Sequence, residues 1–273
     1  MGYSSDLSSD SEPDLGPVVG SHEVRFDDKL HLPHQPKSLE GIAMRAFGLG
    51  AALATSLVAL VLVRLWYPAS PHWRHAFYGA TLSTFHFLEF WTTARYSTSD
   101  ASAKSFFPTE NLPVYLMAHM LAFLECLGWG FFKFGPGFDL KVLGPTPRII
   151  PIILGLVLVG GGQLVRILAI VHAGSALGRN KKKHRERRGA EPVLVTSGIY
   201  GIMRHPAYFG FFWWAVGAQL VLGNIFSLLA AVVVLWSIFA GQVQREEACL
   251  RLSLGRPYLR YEERVGTLMP FIG

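Results

Sequence analysis

Apolar residues in this chain fall in long unbroken runs, neither alternating as in a strand nor confined to the narrow stripe of a water-facing helix. Runs long enough to cross about 30 Å of hydrocarbon cover 42–63, 75–94, 112–134 and 149–172. Each predicts a membrane-spanning helix. A fifth apolar region, Ala207 to Gly241, is interrupted at Leu222-Gly223-Asn224, which predicts two short helices joined by a tight turn. The pattern therefore predicts an all-α integral membrane protein of about six transmembrane helices, the last two a tight helical hairpin. No internal repeat is present.

The polar segments divide the chain. Residues 1–40 read as a disordered polar tail rich in Ser and Asp, 41–177 as the first four helices, 178–191 as a basic loop and 192–273 as a region of motifs ending in a polar helix. The stretch "GRNKKKHRERRG" at 178–189 is the most basic loop in the chain, and short Lys/Arg-rich loops stay cytosolic. With four spans before it and two after, both termini are expected in the cytosol. The segment "QREEACLRLSLGRPYLRYEERVG" from Gln244 has the alternating charges of an amphipathic helix lying on the membrane surface.

Composition agrees with a bilayer protein: 51% hydrophobic and 16% charged in 273 residues. The net charge of +6 reads as orientation and attraction to anionic membrane lipids; with no nucleic-acid motif beside it, nucleic-acid binding is not expected. No N-terminal secretory signal is expected, because the first forty residues are polar and acidic. Asp6 stands where N-myristoylation needs Ser or Thr. Cys126 and Cys249 lack the spacing of a disulfide framework or a metal site, so no metal is expected.

A series of motifs follows in one order: Gly198-x-Tyr200, Arg204-His205-Pro206-x-Tyr208-x-Gly210, Trp214, Gly217-x-Gln219, Glu246-Glu247, Tyr258-x-x-Tyr261 and Pro270-Phe271-Ile272. Together with "FHFLEFWTTARYS" at 85–97 and "GQLVRILAIVHAG" at 162–174, it resembles the isoprenylcysteine carboxyl methyltransferase family. The block from Gly198 to Gly210 alone also recurs in phospholipid methyltransferases and sterol reductases. The resemblance implies an endoplasmic reticulum enzyme with a cytosolic, cofactor-binding C-terminal region. It would transfer a methyl group from S-adenosylmethionine to the C-terminal carboxylate of a farnesyl- or geranylgeranyl-cysteine. Its partners would be prenylated CaaX proteins and membrane lipids, and homo-oligomerisation stays open.

The residues suit that chemistry. A free α-carboxylate, with a pKa of about 3.3–3.7, is ionised at neutral pH and needs no general base. Positioning and water exclusion remain. Pro206 fits the first position of a helix and leaves the N–H groups after it aimed at an anion, while Tyr200, His205 and Tyr208 offer aromatic walls. Family analogy adds Val193, Leu194, Val195, Ala207 and Glu246 to the cofactor site, with Glu247 left to solvent. The plainer alternative is that Arg204 and His205 only snorkel to lipid headgroups. His86 and Glu89 either line a substrate passage or pair with Arg166 or Gln163 to hold helices together.

Two positions depart from the family pattern. Pro192 stands where a histidine is usual, and Gln242 stands where the family has a substrate-facing arginine. A glutamine donates hydrogen bonds but neutralises no carboxylate. Arg245, nearly on the same helical face, is expected to take over as the catalytic cation. The alternatives are a phospholipid or other lipid-amine acceptor, a nicotinamide-dependent reductase, or a divergent paralogue without activity.

Overall fold

The computed structural model describes residues 28–107, 112–131, 149–174, 176 and 193–269. The basic stretch 178–189, Pro192 and the Pro270-Phe271-Ile272 ending lie outside them. The described residues are helical with short connections. Asp28–His31 forms a 3-10 turn before α1 (Leu39–Trp66), so part of the expected tail is folded; the Pro36 carbonyl accepts from the Ala103 N–H at 2.9 Å. Ser38 caps α1 by accepting from the Gly41 N–H at 3.0 Å.

Helix α1 has no buried residue and presents Phe47, Leu57, Val58 and Leu65 outward. Such a surface suits lipid. Helix α2 (Trp73–Tyr96) packs against it, then α3 (Leu112–Phe131), α4 (Ile149–Ala173), α5 (Pro206–Leu222), α6 (Phe226–Leu254) and the short α7 (Arg256–Glu262) follow.

By length and composition, α1, α3, α4 and α6 suffice to cross a membrane. This is four helices where the apolar pattern predicts six. Helix α2 is long enough but carries Arg74, Ser83, His86 and Thr92 buried against its neighbours. Helix α5 is apolar but has only 17 residues, about 26 Å of helix against about 30 Å of hydrocarbon. Both are shielded by other helices, which relaxes the requirement for apolar length.

The most extensive contact among the described helices is α4 with α5. Gly155 and Gly162 on α4 meet Gly217 and Gly210 on α5, an antiparallel register. A methyl group on Gly162 would lie 2.5 Å from the Gly210 carbonyl oxygen, and one on Gly217 2.6 Å from the Gly155 carbonyl oxygen. Only hydrogen fits at these crossings, so backbone approaches backbone. Trp214, 2% exposed, fills the adjoining space against Phe85 with ring centroids 4.4 Å apart.

Arg166 closes one end of this seam. Its Nη2 donates to Glu89 Oε2 at 2.7 Å, its Nη1 to the Ala207 carbonyl at 3.0 Å, and its guanidinium lies 5.4 Å from the Phe85 and Phe211 ring centres. Glu89 thus pairs with Arg166, the helix-tying reading of the two left open. His86 instead donates through Nδ1 to the Phe106 carbonyl at 2.6 Å and accepts at Nε2 from the Tyr115 hydroxyl at 2.7 Å. At the other end Gly223 takes φ 76° and ends α5, while Arg74 donates to the Leu222 carbonyl at 2.9 Å. Glu125 of α3 then accepts from the Phe226 and Ser227 N–H groups at 3.0 and 2.7 Å, capping α6 from another helix.

The polar C-terminal segment differs from its expected form. Instead of a separate surface helix, Gln244 to Leu254 continue α6 as one 29-residue helix. Gly255, at φ 59° and ψ −134°, breaks it, and α7 turns back so that Tyr258 and Tyr261 are buried. The reason is local: an L side chain rarely adopts that conformation, and Pro257 sits in the first turn of the next helix.

Candidate functional site

The polar end of α5 is where three segments converge: the turn before it, the last turns of α6, and α7. Val193, Leu194 and Val195 run without helix into Ser197, and Gly198–Gly201 form a 3-10 turn. Gly198 has φ 61°, and a methyl group there would lie 2.7 Å from the His172 ring. The neighbouring Ile199 N–H donates to His172 Nδ1 at 3.2 Å. Tyr200 donates to the Ala169 carbonyl at 3.3 Å and its own carbonyl accepts from the Tyr261 hydroxyl at 2.6 Å. Burial, with Tyr261 and the Glu246 carboxylate nearby, pushes the Tyr200 phenol up to about 12. The Tyr200 hydroxyl therefore stays protonated and ties this turn to the end of α4.

His205 precedes Pro206, which is the first residue of α5 and fully buried. Proline has no N–H to lose there, and the first-turn amide of Ala207 has no intrahelical acceptor. Tyr208 lies over His205 with ring centroids 6.0 Å apart and planes 27° from parallel, and packs on Phe239 at 5.0 Å. The Tyr208 hydroxyl donates to Glu246 Oε1 at 2.5 Å. Glu246 Oε2 lies 3.7 Å from His205 Nδ1. The structure thus brings together His205, Tyr208 and Glu246 from positions about forty residues apart in sequence.

Glu247 corrects an expectation. Left to solvent by the sequence reading, it is 4% exposed and lies 3.1 Å from His205 Nε2, 3.2 Å from Arg204 Nη1 and 3.2 Å from Arg251 Nη2. Arg204 also lies 3.0 Å from Glu262 of α7, and Arg251 pairs with the same carboxylate. Two guanidiniums and two carboxylates form a cage joining α5, α6 and α7. Arg251, reinforced by Arg204, holds Glu262 down to about 2. Arg204 and His205, 8% and 7% exposed, do not snorkel to headgroups. Glu246, by contrast, keeps half its side chain exposed.

Gln242 is half-buried one turn before Glu246, and Arg245 is exposed on the outer side of α6, turned away from the buried Val243 and Glu247. The described residues contain no group of three or more His, Cys, Asp or Glu side chains able to hold a metal. Cys126 is a buried free thiol.

Residues 153–252 match the family model of isoprenylcysteine carboxyl methyltransferase. A Saccharomyces cerevisiae protein-S-isoprenylcysteine O-methyltransferase is 38% identical over 192 residues, covering 70% of this chain and 77% of the yeast protein. The chain belongs to the isoprenylcysteine carboxyl methyltransferase family. A Schizosaccharomyces pombe member of that family is 36% identical over 201 residues, covering 71% of this chain and 82% of its own length. The solved structure of a eukaryotic intramembrane Ras methyltransferase of the family superposes with a TM-score of 0.71 at 30% identity, covering 85% of this chain and 77% of that one. The family match ends at Leu252, so α7 and its Glu262, one of the four cage residues, lie beyond it.

Sequence reasoning missed the cage and the glycine seam. Signals existed for both: Glu247 and Arg251 are one turn apart on a helix, and the two glycine pairs are each seven residues apart.

Proposed function

We propose that this multi-pass membrane protein methylates the C-terminal carboxylate of farnesyl- or geranylgeranyl-cysteine in CaaX-processed proteins, using S-adenosylmethionine, on the cytosolic side of the endoplasmic reticulum. Membership of the family supports prenylcysteine methylation. The observation that carries the site assignment is the convergence of His205, Tyr208 and Glu246 on the first turn of α5.

These residues fit the cofactor by their chemistry. The first-turn amide of Ala207 suits a carboxylate, the His205 and Tyr208 rings suit a flat heterocycle, and the outward oxygen of Glu246 suits hydroxyl or ammonium donors. Val193, Leu194, Val195 and Tyr200 approach from the preceding turn. When bound, S-adenosylmethionine supplies a methyl group on a positively charged sulfur. The protein then has to orient an already ionised carboxylate and exclude water. Gln242 is assigned to hydrogen bonding with that substrate carboxylate, and Arg245 to its electrostatic compensation.

The test is a microsomal assay with radiolabelled methyl donor and three conditions: a farnesylated cysteine analogue, phosphatidylethanolamine, or neither. Base-labile label on the prenylcysteine supports the reading. Label on the phospholipid alone, the outcome to which Gln242 gives weight, assigns an amine acceptor instead. His205→Ala and Glu246→Ala are each expected to abolish cofactor binding in folded, detergent-solubilised protein. Unchanged affinity would remove those residues from the site.

A further inference from the structure

Glu247 reaches His205 but faces away from the open side of the site. A carboxylate flanked by guanidiniums accepts hydrogen bonds and donates none. With Oε1 3.1 Å from His205 Nε2, the proton of that contact belongs to the ring. His205 is itself buried and lies under Tyr208, so the imidazole is held in both orientation and tautomer. In the neutral ring Nδ1 is then an acceptor. It faces Glu246 Oε2 across 3.7 Å, too long for a hydrogen bond and a separation that an ammonium group or a pair of adjacent hydroxyls between them serves.

We propose that Glu247 is a positioning residue that fixes His205 with Nε2 protonated, so that Nδ1 and the Glu246 carboxylate present a paired acceptor to a hydrogen-bond donor of S-adenosylmethionine. The inference rests on the cofactor reading above. The donor is either the α-ammonium group or the two ribose hydroxyls together. Without the Glu247 carboxylate the ring is free to carry its proton on Nδ1 instead, where it turns toward Glu246 and satisfies the acceptor from within. Glu247 is the same acid that neutralises Arg204 and Arg251, so a purely structural role in the cage is the competing account. The two accounts part at Glu262, which shares both arginines but does not touch His205.

The experiment compares Glu247→Gln and Glu262→Gln in the full-length protein, with calorimetric titration of S-adenosylhomocysteine and of 5′-methylthioadenosine, which lacks the amino-acid portion. Glu247→Gln is expected to weaken S-adenosylhomocysteine by about tenfold and to raise KM for the methyl donor with kcat little changed. Glu262→Gln is expected to keep the parental affinity. Loss confined to S-adenosylhomocysteine supports the proposal with the ammonium as donor, and equal loss for both ligands supports it with the ribose. Ring nitrogen NMR of His205 in the unsubstituted protein needs no variant and should report Nε2 protonated. A folded Glu247→Gln protein with unchanged affinity for both ligands, or a ring protonated at Nδ1, overturns the proposal. A parent that binds neither ligand overturns the cofactor reading instead.

Discussion

Helix α5 is held in two different ways along its length. In its middle, Gly210 and Gly217 lie against the backbone of α4 with no side chain between. At its start, Arg204 and His205 are fixed by carboxylates from α6 and α7. The seam relies on shape, and its cost of disruption is steric. The cage relies on charges withdrawn from water, and its cost of disruption is an unpaired ion. A shape contact between backbones fixes the helix as a rigid body, whereas the Glu247–His205 contact within the cage selects which ring nitrogen faces the ligand.

Arg166 sits where the two meet, since it pairs with Glu89 and also holds the Ala207 carbonyl. Arg166→Ala is expected to show the largest effect, destabilising by about 3 kcal/mol because Glu89, with only 14% of its side chain exposed, is left unpaired. Thermal unfolding in detergent measures this, and adding Glu89→Leu should recover part of the loss. Gly162→Leu comes next. It drives a side chain into the Gly210 carbonyl and the Trp214 backbone, and overpacking of this kind costs about 1–3 kcal/mol. If the seam and cage are separable, the surviving folded fraction keeps its affinity for S-adenosylhomocysteine.

Outside both contacts, on the exposed face of α6, Arg245→Ala is expected to lower activity toward a prenylcysteine acceptor by about ten- to a hundredfold with no change in melting temperature. Gln242→Arg should raise that activity or leave it unchanged. Full activity of the Arg245 variant refutes the compensation role. The smallest effect concerns acid. Glu262 is held at about 2 in the folded protein against 4.5 ordinarily, so its contribution to stability is complete above about 4.5 and is lost as pH falls toward 2. Melting curves from pH 6 downward should show that loss, reduced in Glu262→Gln, while the α4–α5 seam contributes no such dependence.

The sequence carried the lipid-facing elements well because hydrophobic runs state them directly: α1, α3 and α4 lie within a few residues of the predicted 42–63, 112–134 and 149–172. It carried less about α2 and the end of α6. A helix that buries Arg74 and His86 against its neighbours hides its polar side from any reading that sees composition alone. Gln244 to Leu254 have the charges of a surface helix, yet half of those charges face α5 and α7. His205, Tyr208 and Glu246 stand out by motif and do come together. Glu247, next to Glu246, was assigned to the wrong environment, because adjacent helical residues point about 100° apart and only the packing of α6 says which one is inside.

The unbroken length of α6 has a consequence for where the reaction can occur. Glu246 lies about 30 Å along the helix axis from Phe226, close to the full thickness of a bilayer's hydrocarbon. With its start clamped by Glu125 and no hinge before Gly255, the helix acts as a fixed gauge of depth. A thinner or thicker bilayer, such as vesicles made from shorter or longer acyl chains, shifts the carboxylates relative to the headgroups rather than bending the helix between them. A lipid-tethered substrate must present its reactive end at that same height, so membrane thickness becomes a selector of which tethered carboxylates can meet the site.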